Sequence, residues 1–216
     1  MINIVFDYDG TLHDSIRIYA PAIRKAQEYL VGKGLNNRAE ITDKEATKWI
    51  GATAPEMWGD FAPDLPEEEM RHCSRLVGDE MVKLTLEGKA MLYPRAEYTL
   101  MELKRRGFTM LFLSNCKTGY MEAHREYFKL DRFFSGYFCS EAFGYIPKYE
   151  IFDSVKERWQ GDFIIVGDRS QDIEIAERNG LTSIGCLYGY GGAGELQSSS
   201  YKIKEVEDML SIAKLI

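Results

Sequence analysis

The chain opens with a short apolar run, Ile2 to Phe6, that stops abruptly at Asp7-Tyr8-Asp9-Gly10. An unbroken apolar run of this length, bounded by a turn, suits a strand buried on both faces of a parallel sheet. Two further runs repeat the pattern: Phe108 to Leu113 ends in Ser114-Asn115, and Phe163 to Val166 ends in Gly167-Asp168. Weaker strand candidates are Gly136 to Ser140, Ser183 to Leu187 and Tyr201 to Ile203. Helical patterns lie between them. Pro94 to Arg106 carries Leu100 and Leu103 on one face and stops at Gly107, and Gln171 to Asn179 stops at Gly180. Strands alternating with helices of this length predict an α/β fold: a doubly wound, Rossmann-like parallel sheet covered by helices on both faces.

The stretch from Ser15 to about Lys89 breaks this rhythm and holds no convincing strand. Ser15 is placed to cap a helix whose apolar positions Ile16, Tyr19, Ile23, Ala26 and Leu30 recur at helical spacing, with Pro21 as a possible kink. Thr42 and Glu45 form a T-x-x-E capping box before a short helix reaching Trp49. Pro66-Glu67-Glu68-Glu69 opens a third helix that runs to about Leu86. The expected organisation is therefore an α/β core from residues 1–14 and 89–216, with residues 15–88 inserted as a helical cap domain.

Composition narrows the function. With 34 acidic against 27 basic residues, the formal charge of -7 has the wrong sign for nonspecific nucleic-acid binding. No apolar run approaches the roughly 20 residues of a membrane span, and the first residues form a strand pattern rather than a signal sequence. A cytoplasmic protein, without a membrane or nucleic-acid partner, is expected. Cys73, Cys116, Cys139 and Cys186 are scattered and read as reduced thiols, and His13, His72 and His124 lack metal-site spacing.

In an open α/β sheet, ligands bind beyond the carboxyl ends of the strands. Here those ends carry Asp7 and Asp9, then Ser114 and Asn115, then Asp168, with Asp172 one helical turn further on and Lys148 after the turn-rich Gly144-Tyr145-Ile146-Pro147. Carboxylates converging at one edge repel one another unless a cation is present, and hard oxygen ligands suit Mg²⁺. The same ion neutralises a phosphoryl group. One carboxylate can then act as nucleophile and a second, two residues on, as proton donor and acceptor. A hydroxyl, an amide and an ammonium would hold the phosphoryl oxygens.

These residues are recognisable as a set. The sequence resembles the haloacid dehalogenase-like superfamily, specifically its phosphoglycolate-phosphatase-like members with a helical cap after the first motif. Asp7-Tyr8-Asp9-Gly10-Thr11-Leu12 matches the D-x-D-G-T-L motif and Asp14-Ser15 extends it; Ser114-Asn115 matches the second motif, Lys148 the third, and Gly167-Asp168-Arg169-Ser170-Gln171-Asp172 the fourth, G-D-x-x-x-D. Four motifs in order are far more specific than any one alone. The resemblance implies that Asp7 is the nucleophile and a metal ligand, and that Asp9 is the general acid and base, its carbonyl also touching Mg²⁺. It implies that Ser114, Asn115 and Lys148 bind the phosphoryl group, that Asp168 ligates Mg²⁺, and that Asp172 supports the metal or orients Lys148, with Gly10 and Thr11 shaping the first turn.

Two positions depart from the family pattern. The third motif commonly reads K-P, whereas this chain has Pro147-Lys148-Tyr149; and Arg169 stands where a small residue is common, free to add a positive contact or to pair with Asp172. Gly189-Tyr190-Gly191-Gly192-Ala193-Gly194 spells G-x-G-x-x-G, but too little chain follows for another βαβ unit, so a flexible rim loop is expected rather than a dinucleotide site. D-x-D-G also lacks the further ligands of a calcium loop. Met57 and Trp58, after Gly51-Ala52-Thr53-Ala54-Pro55, read as cap packing or as a substrate-facing loop. The expected activity is hydrolysis of a small phosphorylated metabolite, phosphoglycolate-like or a sugar phosphate, through an aspartyl-phosphate. A sugar phosphomutase on the same scaffold and a receiver-like phosphoacceptor module are the alternatives.

Overall fold

The computed structural model describes residues 1–37 and 40–214. Positions 38 and 39 of the expected cap, and 215 and 216 of the expected core, lie outside the described residues. The strands are β1 (Ile2–Phe6), β2 (Thr109–Ser114), β3 (Phe134–Cys139), β4 (Asp162–Gly167), β5 (Thr182–Cys186) and β6 (Tyr201–Ile203). All neighbouring pairs are parallel, in the order β3-β2-β1-β4-β5-β6. The chain winds from β1 outward through β2 to β3, then crosses to β4 on the other side of β1. The loops after β1 and β4 therefore diverge and leave a crevice at this switch point, where doubly wound sheets bind ligands.

Alternation of side chains explains why these strands are apolar throughout. Ile4, Phe6, Met110, Phe112, Ile164 and Val166 pack in one cluster with Leu100 and Leu103. Val5, Leu111, Leu113 and Ile165 face the opposite cluster, with Ile151, Phe152 and Ile175.

The helices are α1 (Ile16–Gly32), α2 (Asp43–Ala46), α3 (Ala54–Phe61), α4 (Glu67–Leu86), α5 (Ala96–Arg105), α6 (Thr118–Tyr127), α7 (Lys148–Val155), α8 (Ser170–Asn179) and α9 (Met209–Ile212). Helices α1 to α4 build a third cluster of their own, in which Ile23, Leu30, Trp49, Trp58, Phe61 and Val77 are buried. The Thr42–Glu45 capping box forms as expected, and an equivalent box at Thr53 and Glu56 starts α3 inside the segment read as cap packing or a substrate-facing loop. Helix α1 runs on through Pro21.

Some local expectations give way to tertiary context. Helix α5 begins at Ala96 rather than Pro94, because Arg95 adopts a left-handed φ of 67° and turns the chain first. Ser15 precedes α1 without capping it; its hydroxyl is used elsewhere. Helix α7 buries Ile151, Phe152 and Val155 in one of the sheet's two clusters, and α6 buries Tyr120 and Met121 in the other.

Candidate active site

Strand β1 delivers Asp7, and the turn after β4 delivers Asp168, to the two sides of the switch point. Helix α8 begins at Ser170, which brings Asp172 back over that turn, and α7 begins at Lys148 with Pro147 before it. Oxygens of Asp7, Asp168 and Asp172, all buried, lie within 4.8 Å of one another. The Lys148 ammonium donates to Asp7 Oδ1 at 2.5 Å and to Asp172 Oδ1 at 2.7 Å. Asp172 Oδ2 accepts from the backbone N–H of Arg169 at 3.0 Å, so both of its oxygens are committed to orienting Lys148 and the turn. Placing Lys148 directly after Pro147 is compatible with this geometry, since proline suits the start of a helix.

The Thr11 hydroxyl lies 3.2 Å from Asp7 Oδ2 and 3.3 Å from Asp168 Oδ1. Its single proton cannot serve both, which marks two carboxylate oxygens converging on one point. Gly10 makes this approach possible: its φ is 92°, and a Cβ there would stand 2.4 Å from Asp168 Oδ2.

The electrostatics agree with a missing positive charge. Burial, then the Asp172 charge, pushes Asp7 well above the ordinary carboxylate range despite Lys148. Burial and Asp172 likewise push Asp168 up to about 7, against the Tyr190 and Gly191 amides that lower it. Burial opposes the Lys148 charge, but Asp172 and Asp7 outweigh it and hold its pKa above that of an ordinary lysine. Three buried carboxylates against one ammonium are the donor set of a hard divalent cation such as Mg²⁺.

Asp9 is not part of that cluster, so the ligand role expected of it rests on its carbonyl. Its Oδ1 accepts from the Ser15 hydroxyl at 2.6 Å, the Tyr120 hydroxyl at 2.5 Å and His13 Nδ1 at 3.1 Å. Burial favours the protonated acid, but these donors outweigh it and hold Asp9 below its ordinary pKa.

Between this edge and helices α1 to α4 lies a cavity of about 340 Å³. Asp9, Ser114 and Asn115 line it from the sheet side, and Trp49, Met57 and Trp58 line it from the helical side. Met57 and Trp58 thus serve both packing and the cavity wall. Three sheet-side residues cross to backbone carbonyls of the helical block: Asn115 Nδ2 to Gly51 at 3.0 Å, Lys117 Nζ to Ser74 at 2.8 Å, and Arg169 Nη1 to Ile50 at 2.8 Å. Asn115, expected on a phosphoryl oxygen, also donates to Gln171 Oε1 at 2.6 Å. The Arg169 guanidinium pairs with Glu195, not with Asp172, which takes only the backbone N–H of residue 169.

The glycine-rich segment has a role that its spelling did not suggest. The N–H groups of Tyr190 and Gly191 donate to Asp168 Oδ2 at 2.6 and 3.3 Å. A Cβ on Gly189 would stand 2.2 Å from the Asp168 Cβ, and one on Gly191 would stand 1.8 Å from the Asp168 carbonyl oxygen. These glycines let backbone approach a carboxylate of the same chain instead of a dinucleotide. His13 and Tyr120 were also missed. His13 sits four residues from Asp9 within the first motif, a usable signal, whereas Tyr120 is 111 residues from Asp9 and has none.

Residues 4–186 match the family model described as haloacid dehalogenase-like hydrolase. The phosphoglycolate phosphatase of Vibrio cholerae is 29% identical, over 87% of this chain and 84% of that protein. The phosphoglycolate phosphatase of Escherichia coli K12 is 26% identical, over 96% of this chain and 90% of that protein. The crystal structure of a predicted phosphatase from Clostridium acetobutylicum superposes with a TM-score of 0.84 at 23% identity, covering 99% of this chain and 98% of that one. A predicted phosphoglycolate phosphatase from Haemophilus somnus gives a TM-score of 0.83 at 24% identity, covering 98% and 97%. The two structures establish a common fold.

Proposed function

The chain belongs to the haloacid dehalogenase-like hydrolases and is a phosphatase of that family, and from this premise we propose that it hydrolyses a small phosphate monoester with Mg²⁺, through an aspartyl-phosphate on Asp7. The observation that carries the reading is the buried cluster of Asp7, Lys148, Asp168 and Asp172 at the switch point of the sheet.

Asp7 and Asp168 would hold the ion, with Asp172 fixing Lys148 beside them. When bound, Mg²⁺ supplies the positive charge that this cluster lacks and that an incoming phosphoryl group requires. An Asp7 oxygen forms a bond to phosphorus while the bond from phosphorus to the ester oxygen breaks. Asp9, ionised before substrate enters, takes up a proton as the anionic phosphoryl group arrives beside it and gives that proton to the ester oxygen so that a neutral alcohol leaves. Water then attacks the same phosphorus, its proton passes to Asp9, the bond to Asp7 breaks and inorganic phosphate departs. Lys148 and the Ser114 hydroxyl offset negative charge on the phosphoryl oxygens. The cavity beside Asp9 receives the alcohol, and the contacts of Asn115, Lys117 and Arg169 to the helical block keep water out.

The relatives named phosphoglycolate phosphatase and the modest cavity support a small organic monoester, phosphoglycolate-like or a sugar phosphate, as the metabolite. Free, buried Cys73, Cys116, Cys139 and Cys186 support a reducing, cytoplasmic setting, and among the described residues no helix is long and apolar enough to cross a membrane. The test is a panel of phosphate monoesters assayed with and without Mg²⁺ on the wild type and on Asp7→Asn. Phosphate release that requires Mg²⁺ and is abolished in a folded Asp7→Asn protein is expected. Turnover by that variant at the wild-type rate would overturn the reading.

A further inference from the structure

Resting on the acid/base role given to Asp9 above, we propose that Tyr120, Ser15 and His13 are positioning residues that hold Asp9 Oδ1 and so reserve Oδ2 for the proton passed to the leaving alcohol. Two of the donors, His13 and Ser15, belong to the turn that follows Asp9, and the third, Tyr120, is brought in from across the fold. Tyr120 lies in α6, Ser15 immediately before α1, and His13 between Asp9 and the helical block. All three reach the same oxygen, at 2.5, 2.6 and 3.1 Å. Among the described hydrogen bonds none reaches Oδ2, although the Asp9 side chain is 14% exposed and lines the cavity. A carboxylate serving only to satisfy buried donors would spread them over its two oxygens. Saturating one and leaving the other facing the cavity gives the acid a defined delivery atom.

Counting protons fixes the arrangement. Tyr120 and Ser15 each have one hydroxyl proton, and each hydroxyl lies near both Asp9 and His13 Nδ1, at 3.0 and 2.8 Å from the latter. With those protons on Asp9, Nδ1 has no donor facing it and must carry its own hydrogen toward Asp9, which leaves Nε2 as the buried ring nitrogen without a partner. The wall behind it is ordered in the same way. Thr85 donates to the Met81 carbonyl at 2.9 Å, so His124 Nε2–H donates to Thr85 and His124 Nδ1 accepts from Tyr8. Tyr8 in turn stacks on the His13 ring, with centroids 5.4 Å apart. Ser15 completes the case: at a position where serine ordinarily caps a helix, its hydroxyl goes to Asp9 instead.

The test compares first-turnover alcohol release from p-nitrophenyl phosphate, whose leaving group needs no proton, with release from the alkyl monoester that the wild type hydrolyses fastest. In Tyr120→Phe and in Ser15→Ala, the ratio of nitrophenol release to alkyl alcohol release should rise about 10- to 100-fold, with KM for both esters little changed. Ser15→Thr, which keeps the hydroxyl, should retain the wild-type ratio. Each variant removes or moves only one polar group, so if one fails to fold the other carries the test. An unchanged ratio in the folded variants, whether or not both rates fall together, overturns the proposal while leaving the role of Asp7 to its own test.

Discussion

The Lys148 ammonium bridges Asp7 and Asp172, donating to the first at 2.5 Å and to the second at 2.7 Å, with all three side chains buried. This one cation is the only protein charge that opposes the acidic cluster among the described contacts. It both orients Asp7 and tempers the repulsion that would otherwise push the carboxylates apart.

Replacing it with an apolar chain of similar length should therefore act twice. Lys148→Met is expected to lose on the order of 10²-fold or more in turnover, as when a donor to developing charge is removed. In the presence of a chelator it should also lose about 3 to 5 kcal/mol of stability, because an unpaired buried charge is left behind. Urea unfolding followed with EDTA and with Mg²⁺ checks this: the deficit should shrink when the ion is supplied. Equal deficits in both conditions would count against a cation in this cluster.

The loop from Tyr188 to Gly194 offers a sharper contrast. A Cβ on Gly191 would lie 1.8 Å from the Asp168 carbonyl oxygen, while one on Gly194 would meet nothing within 4 Å. Gly191→Ala must displace the amides that fix Asp168, and should weaken Mg²⁺ binding about 10- to 100-fold, the usual cost of losing an outer partner of a metal ligand. Gly194→Ala should bind the ion like the wild type. Titration of the folded proteins with Mg²⁺, followed by calorimetry, measures both.

His124 makes stability sensitive to acid. Burial, helped by nearby His13, lowers its pKa to about 3, well under the ordinary value of 6.5. Between these values the unfolded chain binds a proton that the folded chain does not. Stability from this group is therefore fully present above about pH 6.5 and falls as pH drops, by up to about 1.4 kcal/mol per unit. His124→Gln, which keeps a neutral donor for Thr85, should show a shallower decline between pH 7 and 5. Urea midpoints measured across that range decide it, and parallel profiles for the two proteins would contradict the burial argument.

Arg169 links the fourth motif to the helical block through the Ile50 carbonyl and to the glycine-rich loop through Glu195. Arg169→Ala removes one charge-assisted bond between the fourth motif and the helical block and should raise KM about tenfold, with a smaller effect on the first chemical step. Limited proteolysis should also cut the turn around Gly51 and Ala52 faster than in the wild type. A variant with unaltered KM and unaltered cleavage would show that Arg169 does not hold this contact in solution.

Much of the fold is legible in linear order because its signals are local. The apolar runs ending at Phe6, Leu113 and Val166 announce strands buried on two faces, and the residues at which they stop are the ones the sheet gathers at its switch point. The Thr42 capping box survives for the same reason: its hydrogen bonds close within four residues. Helices α6 and α7 escape this kind of reading, since α7 spans only Lys148 to Val155 and gains its stability from packing against the sheet.

The sequence by itself determined the identity and spacing of the candidate site's carboxylates, because Asp7, Asp9, Asp168 and Asp172 sit in short segments whose turns are set by their own residues. Only the tertiary structure decided what surrounds each of them. Asp9 takes donors from Ser15 nearby and from Tyr120 across the fold, and Asp168 takes amides from Tyr190 and Gly191 in a segment that looks in sequence like a nucleotide loop. Local spelling specifies which polar atoms the sheet edge carries. The protonation, orientation and exposure of those atoms depend on partners brought near only when the sheet closes and the helical block settles over its edge.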